Sequence, residues 1–284
     1  MNEPKLEKKW IETSRGKICY FIDYRFENSP TMVFLHGLSA NHTTWKNLAS
    51  ALHQLRINVL LVDLRGHGYS DKAKKRDLYK IPVFTKDTEV IIKKEKLEKV
   101  ILAGYSFGGF IALDYAIKYP EKLTALVLIS TNHVNPWKYK SIYFLTWPAY
   151  SLLNLLAWLL IWQGRKKYYY YDQEKDLGYW RSTFKGLTTM PLSVNLWMLT
   201  EAAHIDFSRD LEKITCPVLI MKSRNDHLVS DAEIADMAEK IKSSKTVIFD
   251  ETSHFLASRH QEKISDAIID FLKKKGIICP VVKF

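Results

Sequence analysis

The chain has 284 residues, 47% hydrophobic and 26% charged, enough for one sizeable core carrying an inserted subdomain. Its 42 Lys and Arg exceed 31 Asp and Glu, giving a formal charge of +11, but the basic runs Lys72–Arg76 and Lys93–Lys96 read as solvated faces at element ends. No base-reading helix, RNP-like aromatic strand or Cys/His finger accompanies them, which sets nucleic-acid binding aside.

The N-terminus, Met1 to Lys5, leads into charged residues rather than an apolar leader, so residence in the cytoplasm is the expectation. Strands are predicted over Lys17–Tyr24 and Thr31–Leu35, joined by the Glu27-Asn28-Ser29-Pro30 turn, and the second runs into His36-Gly37-Leu38. A helix over Thr44–Leu55 precedes Asn58–Val62, an uninterrupted apolar run of the kind buried on both faces of a parallel sheet. That run ends in Asp63-Leu64-Arg65-Gly66-His67-Gly68-Tyr69-Ser70. A charged helix over Phe84–Lys96 leads to a strand at Lys99–Ala103, and then to Gly104-Tyr105-Ser106-Phe107-Gly108.

This G-x-S-x-G sequence, with a strand before it and a helix from Phe110 to Tyr119 after it, has the form of a nucleophile elbow. Such a turn holds its serine in a strained conformation with the hydroxyl exposed. Another buried strand is predicted at Ala125–Ile129. Beyond Asn132 the chain turns rich in Trp, Tyr and Leu without clear strands, and the alternation resumes with Cys216–Met221, a helix over Asp231–Lys242, a strand at Thr246–Phe249 and a helix over Arg259–Lys275. The pattern predicts an α/β fold with a mainly parallel sheet, residues 1–132 and 207–284 forming the core and 133–206 an inserted helical cap. Cys19, Cys216 and Cys279 are scattered and odd in number, and suggest neither a disulfide framework nor a zinc site. No G-x-G-x-x-G, P-loop or metal-ligand spacing appears, so no cofactor and no metal are expected.

From about Trp10 to Lys275 the chain resembles the α/β-hydrolase family, in particular its lid-bearing serine esterases and lipase-like members. The resemblance rests on His36-Gly37, the Asp63–Ser70 loop, the Ser106 elbow, and an acid and a histidine after late strands. It implies Ser106 as nucleophile, His254 in Glu251–Leu256 as base, and Asp226 in Ser223–Val229 as the acid that orients it. Some relatives carry the acid after the earlier strand, where this chain has Asn132, an amide that cannot act as a charged acid. Asp250 lies too near His254 in the chain to orient its ring from behind.

The resemblance also implies an oxyanion hole from the backbone N–H groups of Leu38 and Phe107, and structural roles for His36 and for the Asp63 loop, with Arg65 and His67 bonding near the site. His53, His133 and His260 fall on helices or lid borders, and His42 is placed near the pocket mouth. Serine at 106 differs from the aspartate nucleophile of haloalkane dehalogenases and epoxide hydrolases of this fold, and points to an acyl-enzyme.

Between Lys140 and Arg165 no residue is charged, and a bilayer is crossed by about 20 apolar residues. A crossing here would put Ser106 and His254 on opposite sides of the membrane, and Pro148 and Asn154 interrupt the run. The stretch reads either as cap helices lining an apolar acyl pocket or, with Arg165–Lys167 and the tyrosines to 171, as a peripheral membrane contact over 141–171. The expected partner is a small ester or lipid-like substrate. A C–C bond hydrolase, an acyltransferase or a non-catalytic ligand-binding receptor of this fold could carry the same residues, and the sequence does not separate them.

Overall fold

The computed structural model describes residues 3–135, 146–161, 190–250, 254 and 256–278. Its strands are β1 (Glu7–Thr13), β2 (Gly16–Asp23), β3 (Thr31–Leu35), β4 (Asn58–Val62), β5 (Val100–Tyr105), β6 (Leu123–Ile129), β7 (Val218–Ser223) and β8 (Ser244–Phe249). They form one sheet in the order β1-β2-β4-β3-β5-β6-β7-β8. β1 and β2 pair antiparallel, β2 meets β4 antiparallel, and every later pairing is parallel. The mainly parallel α/β sheet expected from the strand–helix alternation is the one observed.

Every residue of β3, β4 and β5 is buried, because helices cover both faces and leave no side of these strands to water. The helices are α1 (Lys46–His53), α2 (Ile81–Lys94), α3 (Phe107–Lys118), α4 (Thr146–Leu159), α5 (Leu192–Ala202), α6 (Asp231–Lys240), α7 (Leu256–Arg259) and α8 (Gln261–Lys274). Val33 and Leu35 of β3 enter an apolar layer with α2, α3 and α6, while Met32 and Phe34 enter the opposite one with α1 and α8. In α8 the buried apolar residues Ile264, Ile268, Phe271 and Leu272 recur at helical spacing and form one face against the sheet.

Two of the differences from the sequence reading have a clear physical cause. β1 is not anticipated because Glu7-Lys8-Lys9 reads as surface; it is an edge strand whose charged residues stay exposed or half-buried while Ile11 turns inward. α3 begins at Phe107 rather than Phe110, since Gly108 and Gly109 lower helix propensity but are demanded here by packing. Cys19 and Cys216 are buried free thiols, both pushed up to about 12 by burial. Cys279 lies outside the described residues.

Of the stretch expected to form a cap, α4 and α5 are described and pack on each other. The two ends of the stretch meet: Val134 and Asp206 form an antiparallel bridge, and the Phe207 N–H donates to the His133 carbonyl at 2.8 Å. Arg165–Lys167 and the tyrosines to 171 lie outside the described residues. Among the described residues no helix is long and apolar enough to cross a membrane.

Candidate active site

β5 ends at Tyr105 and α3 starts at Phe107, so Ser106 alone makes the turn, with φ 50° and ψ −116°. A non-glycine residue in such a conformation costs about 1–3 kcal/mol and persists only when its surroundings over-determine it. Here the Ser106 N–H donates to Ile129 O at 2.9 Å, while the Ser106 carbonyl accepts from the Gly109 N–H at 2.8 Å and from Thr131 Oγ1 at 2.9 Å. A Cβ on Gly104 would lie 2.5 Å from the Gly108 carbonyl, and one on Gly108 would run into the carbonyls of Leu35 and His36. Only glycine permits that approach of helix to strand. The result is a side chain standing clear of its buried neighbours, and Ser106 is the one half-buried residue between Val100 and Ala116.

The turn after β7 carries Asp226, and His254 follows β8 in the chain, both beyond the carboxyl ends of parallel strands, where such sheets place their sites. His254 Nε2 lies 2.9 Å from Ser106 Oγ. Its Nδ1 lies 2.9 and 3.0 Å from the two Asp226 oxygens. Asp226 Oδ1 also accepts from the N–H groups of Leu228 at 2.9 Å and Val229 at 3.2 Å. Burial alone would raise this carboxyl, but the His254 hydrogen bond and charge, with those two N–H groups, hold it below the usual aspartate range. An ionised Asp226 selects the tautomer with the proton on Nδ1 and leaves Nε2 free to accept from Ser106. The Tyr105 hydroxyl donates to the His254 carbonyl at 3.1 Å.

The loop after β3 passes beside Ser106: a Cβ on Gly37 would lie 3.4 Å from Ser106 Cβ. Among the described residues neither Leu38 N–H nor Phe107 N–H has a backbone acceptor. Two histidines hold this loop. His36 Nε2 accepts from the Leu64 N–H at 3.0 Å with Nδ1 2.8 Å from Gly37 O, and His67 Nε2 accepts from the Ser39 N–H at 3.1 Å with Nδ1 3.0 Å from Arg65 O. Burial pushes His36 down to about 4 and His67 well below the usual histidine range, so both remain neutral acceptors.

The fully buried Asp63 accepts from the His42 and Tyr69 N–H groups and sits 2.8 Å from His42 Nδ1. His42 is therefore part of this buried network, stacked on Phe21. Arg65 is directed away from the site, to Asp87 and to the β1–β2 turn at Arg15 and Thr13.

These buried rings make stability depend on pH. The folded-state pKa of His36, His67, His53 and His133 lies below the unfolded value in each case, through burial first. Below about 6.5 the unfolded chain thus binds more protons, and stability falls as pH drops. Asp87 and Glu201, raised by burial, act in the opposite sense over part of that window, but four histidines outnumber two carboxyls. Urea unfolding is expected to give a smaller free energy at pH 5 than at pH 7.5; a flat profile would contradict neutral burial of these rings.

Three supporting residues have little sequence signal. Thr131 anchors the elbow carbonyl, and the buried Lys222 donates to Val229 O at 2.9 Å and Asp231 Oδ1 at 2.5 Å, bracing the Asp226 turn. Asn195, on α5, is fully buried; Ser39 Oγ lies 2.6 Å from its Oδ1, while its Nδ2 has no partner among the described residues. An amide in the apolar run Leu192–Leu199 is its only sequence clue. Asn132 donates to Glu233 at 2.7 Å, and Asp250 pairs with Arg224 at 2.8 Å, so neither approaches His254 as an acid.

Residues 30–178 match the family model described as the alpha/beta hydrolase fold. The chain is 26% identical to a pimeloyl-[acyl-carrier protein] methyl ester esterase of Aeromonas hydrophila, over 87% of this chain and 97% of that protein. It is also 26% identical to human epoxide hydrolase 4, over 87% and 73%. Among solved structures it superposes on a putative lipase from Acinetobacter baumannii with TM-score 0.74 at 20% identity, covering 95% of this chain and 92% of that one. A sheet with this strand order, a serine elbow between β5 and α3 and a family match over more than half the sequence have one reading: the chain belongs to the alpha/beta hydrolase fold family.

Proposed function

We propose that the protein is a serine hydrolase that cleaves carboxylic esters with an apolar acyl group. The observation that carries the proposal is the continuous hydrogen-bonded line from Ser106 Oγ through His254 to Asp226, at 2.9 Å on either side of the imidazole. Ser106 Oγ attacks the ester carbonyl carbon as His254 Nε2 takes its proton, and Asp226 stabilises the resulting imidazolium. The oxyanion of the tetrahedral intermediate accepts from the N–H groups of Leu38 and Phe107. Collapse expels the alcohol, which takes the proton from His254 and leaves an acyl-Ser106 ester. Water, deprotonated by His254, then attacks that ester and releases the carboxylic acid.

Leu38 packs against the apolar layer that contains Phe107, Phe110, Val194 and Met198, which supports a greasy acyl site with α5 as part of its roof. Serine in place of aspartate favours an acyl-enzyme over the alkyl-enzyme ester of epoxide hydrolases of this fold. The methyl ester esterase relative is consistent with carboxylic ester chemistry.

The test is a p-nitrophenyl ester series of increasing acyl length, with fluorophosphonate labelling read by mass spectrometry. A buried CH₂ contributes about 0.8 kcal/mol, so kcat/KM is expected to rise up to about fourfold per CH₂ until the site is filled. The fluorophosphonate adduct is expected on Ser106. An adduct elsewhere would remove the serine mechanism, and a flat or short-chain preference would remove the apolar acyl group.

A further inference from the structure

The helix α4 turns its least polar half outward. Its inner side faces α5 and the turn after it: the half-buried Tyr150 ring lies 3.9 Å from that of His204, and Ala157 is buried. The outward half comprises Trp147, Pro148, Ser151, Leu152, Leu155, Leu156, Trp158 and Leu159, where Ser151 is the only polar residue and none is charged. Trp147, Leu152, Leu155, Trp158 and Leu159 are 79%, 55%, 53%, 65% and 55% exposed. A helix of a water-soluble surface carries charges on that side, and a contiguous exposed apolar ridge marks an interaction site.

The spacing of the two tryptophans defines the shape of that site. Eleven residues are close to three helical turns, so Trp147 and Trp158 stand nearly in line, about 16 Å apart along the axis. Amphipathic indoles at both ends of one ridge suit a helix lying flat in a boundary between water and hydrocarbon. A basic segment adjoins it. Arg76 donates to the Tyr150 hydroxyl at 3.2 Å, and Lys74, Lys75, Arg76 and Lys80 are exposed, with Asp77 the one acid among residues 74–80 and bound to Lys80 at 2.8 Å.

The geometry points to α4 and the 74–80 segment together as a docking face for an anionic lipid surface. The ridge enters the headgroup boundary, and the neighbouring cations meet lipid phosphates, adding attraction that salt weakens. A nucleic acid would leave the ridge unused, and a second copy of the chain would set the cations of residues 74–80 against one another.

The test is co-sedimentation of the full chain with phosphatidylcholine vesicles, with and without about one third phosphatidylglycerol, at low and high salt. Wild type is expected to bind the anionic vesicles at least about tenfold more tightly than the neutral ones, with a blue shift of tryptophan emission and loss of most binding in high salt. Leu155→Glu/Trp158→Glu and, separately, Lys74→Glu/Lys75→Glu are each expected to weaken binding at least about tenfold. Both variants should keep the wild-type Tm and wild-type hydrolysis of a short soluble ester. Binding that ignores phosphatidylglycerol, or survives either double substitution, overturns the proposal. So does a wild-type chain that binds no vesicle, including one that is a dimer in light scattering and becomes monomeric on Leu155→Glu/Trp158→Glu. The readout is binding, so failure of the ester series would leave this result standing, and the reverse.

Discussion

Ser106→Ala is expected to lower kcat/KM for a p-nitrophenyl ester by about 10⁵-fold or more, and His254→Ala by a similar factor. The double variant should be no worse than either single one, because the hydroxyl and the imidazole act as one proton-transfer unit across the 2.9 Å contact. Asp226→Asn should cost about 10⁴-fold, since its amide can present an N–H to Nδ1 and stabilise the wrong imidazole tautomer. These losses should come with near wild-type circular dichroism, as Ser106 is held by backbone contacts that alanine retains. Steady-state kinetics on purified variants decide it. Activity of Ser106→Ala above about one per cent of wild type would place the nucleophile elsewhere, and additive losses in the double variant would deny the shared step.

Arg65→Ala is expected to be the most damaging single substitution away from the triad, at about 3–5 kcal/mol of unfolding free energy. Arg65 is fully buried and meets both oxygens of Asp87 at 2.9 Å, while also donating to the Arg15 carbonyl. Removing it strands the Asp87 carboxylate, which burial already pushes upward, with no other hydrogen-bond donor among the described residues. A second variant separates the charge from the cavity. Arg65→Met/Asp87→Leu, which removes both charges and keeps most of the volume, should recover the larger part of the loss. Differential scanning calorimetry should show a fall of about 10 °C for Arg65→Ala. A double variant as unstable as Arg65→Ala would assign the effect to packing and the links to Arg15 instead.

The sheet was legible because its central strands are continuous apolar runs, such as Asn58–Val62, and burial on both faces requires such runs. The edge was not: Glu7–Thr13 pairs through backbone groups that any sequence possesses, and its charged residues resemble a loop. Ser106, Asp226 and His254 could be placed because each follows a strand and because the chain resembles a known family; the hydrogen bonds among them are information from the fold. Arg65 and His42 show the limit. Both lie in or near the conspicuous Asp63 loop, yet one faces Asp87 and the other Asp63, and no local pattern distinguishes those directions from the site. Asn195 was beyond reach for a different reason: its partner Ser39 is 156 residues away in the chain.

The paired residues Val134 and Asp206 have a consequence for how this chain can vary. The polypeptide leaves and re-enters at one bridged pair, so to the rest of the fold everything between them is a closed loop. The entropy of closing a flexible loop grows only with the logarithm of its length, about 0.6 kcal/mol for each doubling. Insertions inside that loop, outside α5 with its Asn195 link to Ser39, therefore disturb Ser106, Asp226 and His254 far less than the same changes would in the strands that carry them. The stretch between Val134 and Asp206 can drift in length while the hydrogen-bonded line of Ser106, His254 and Asp226 stays fixed.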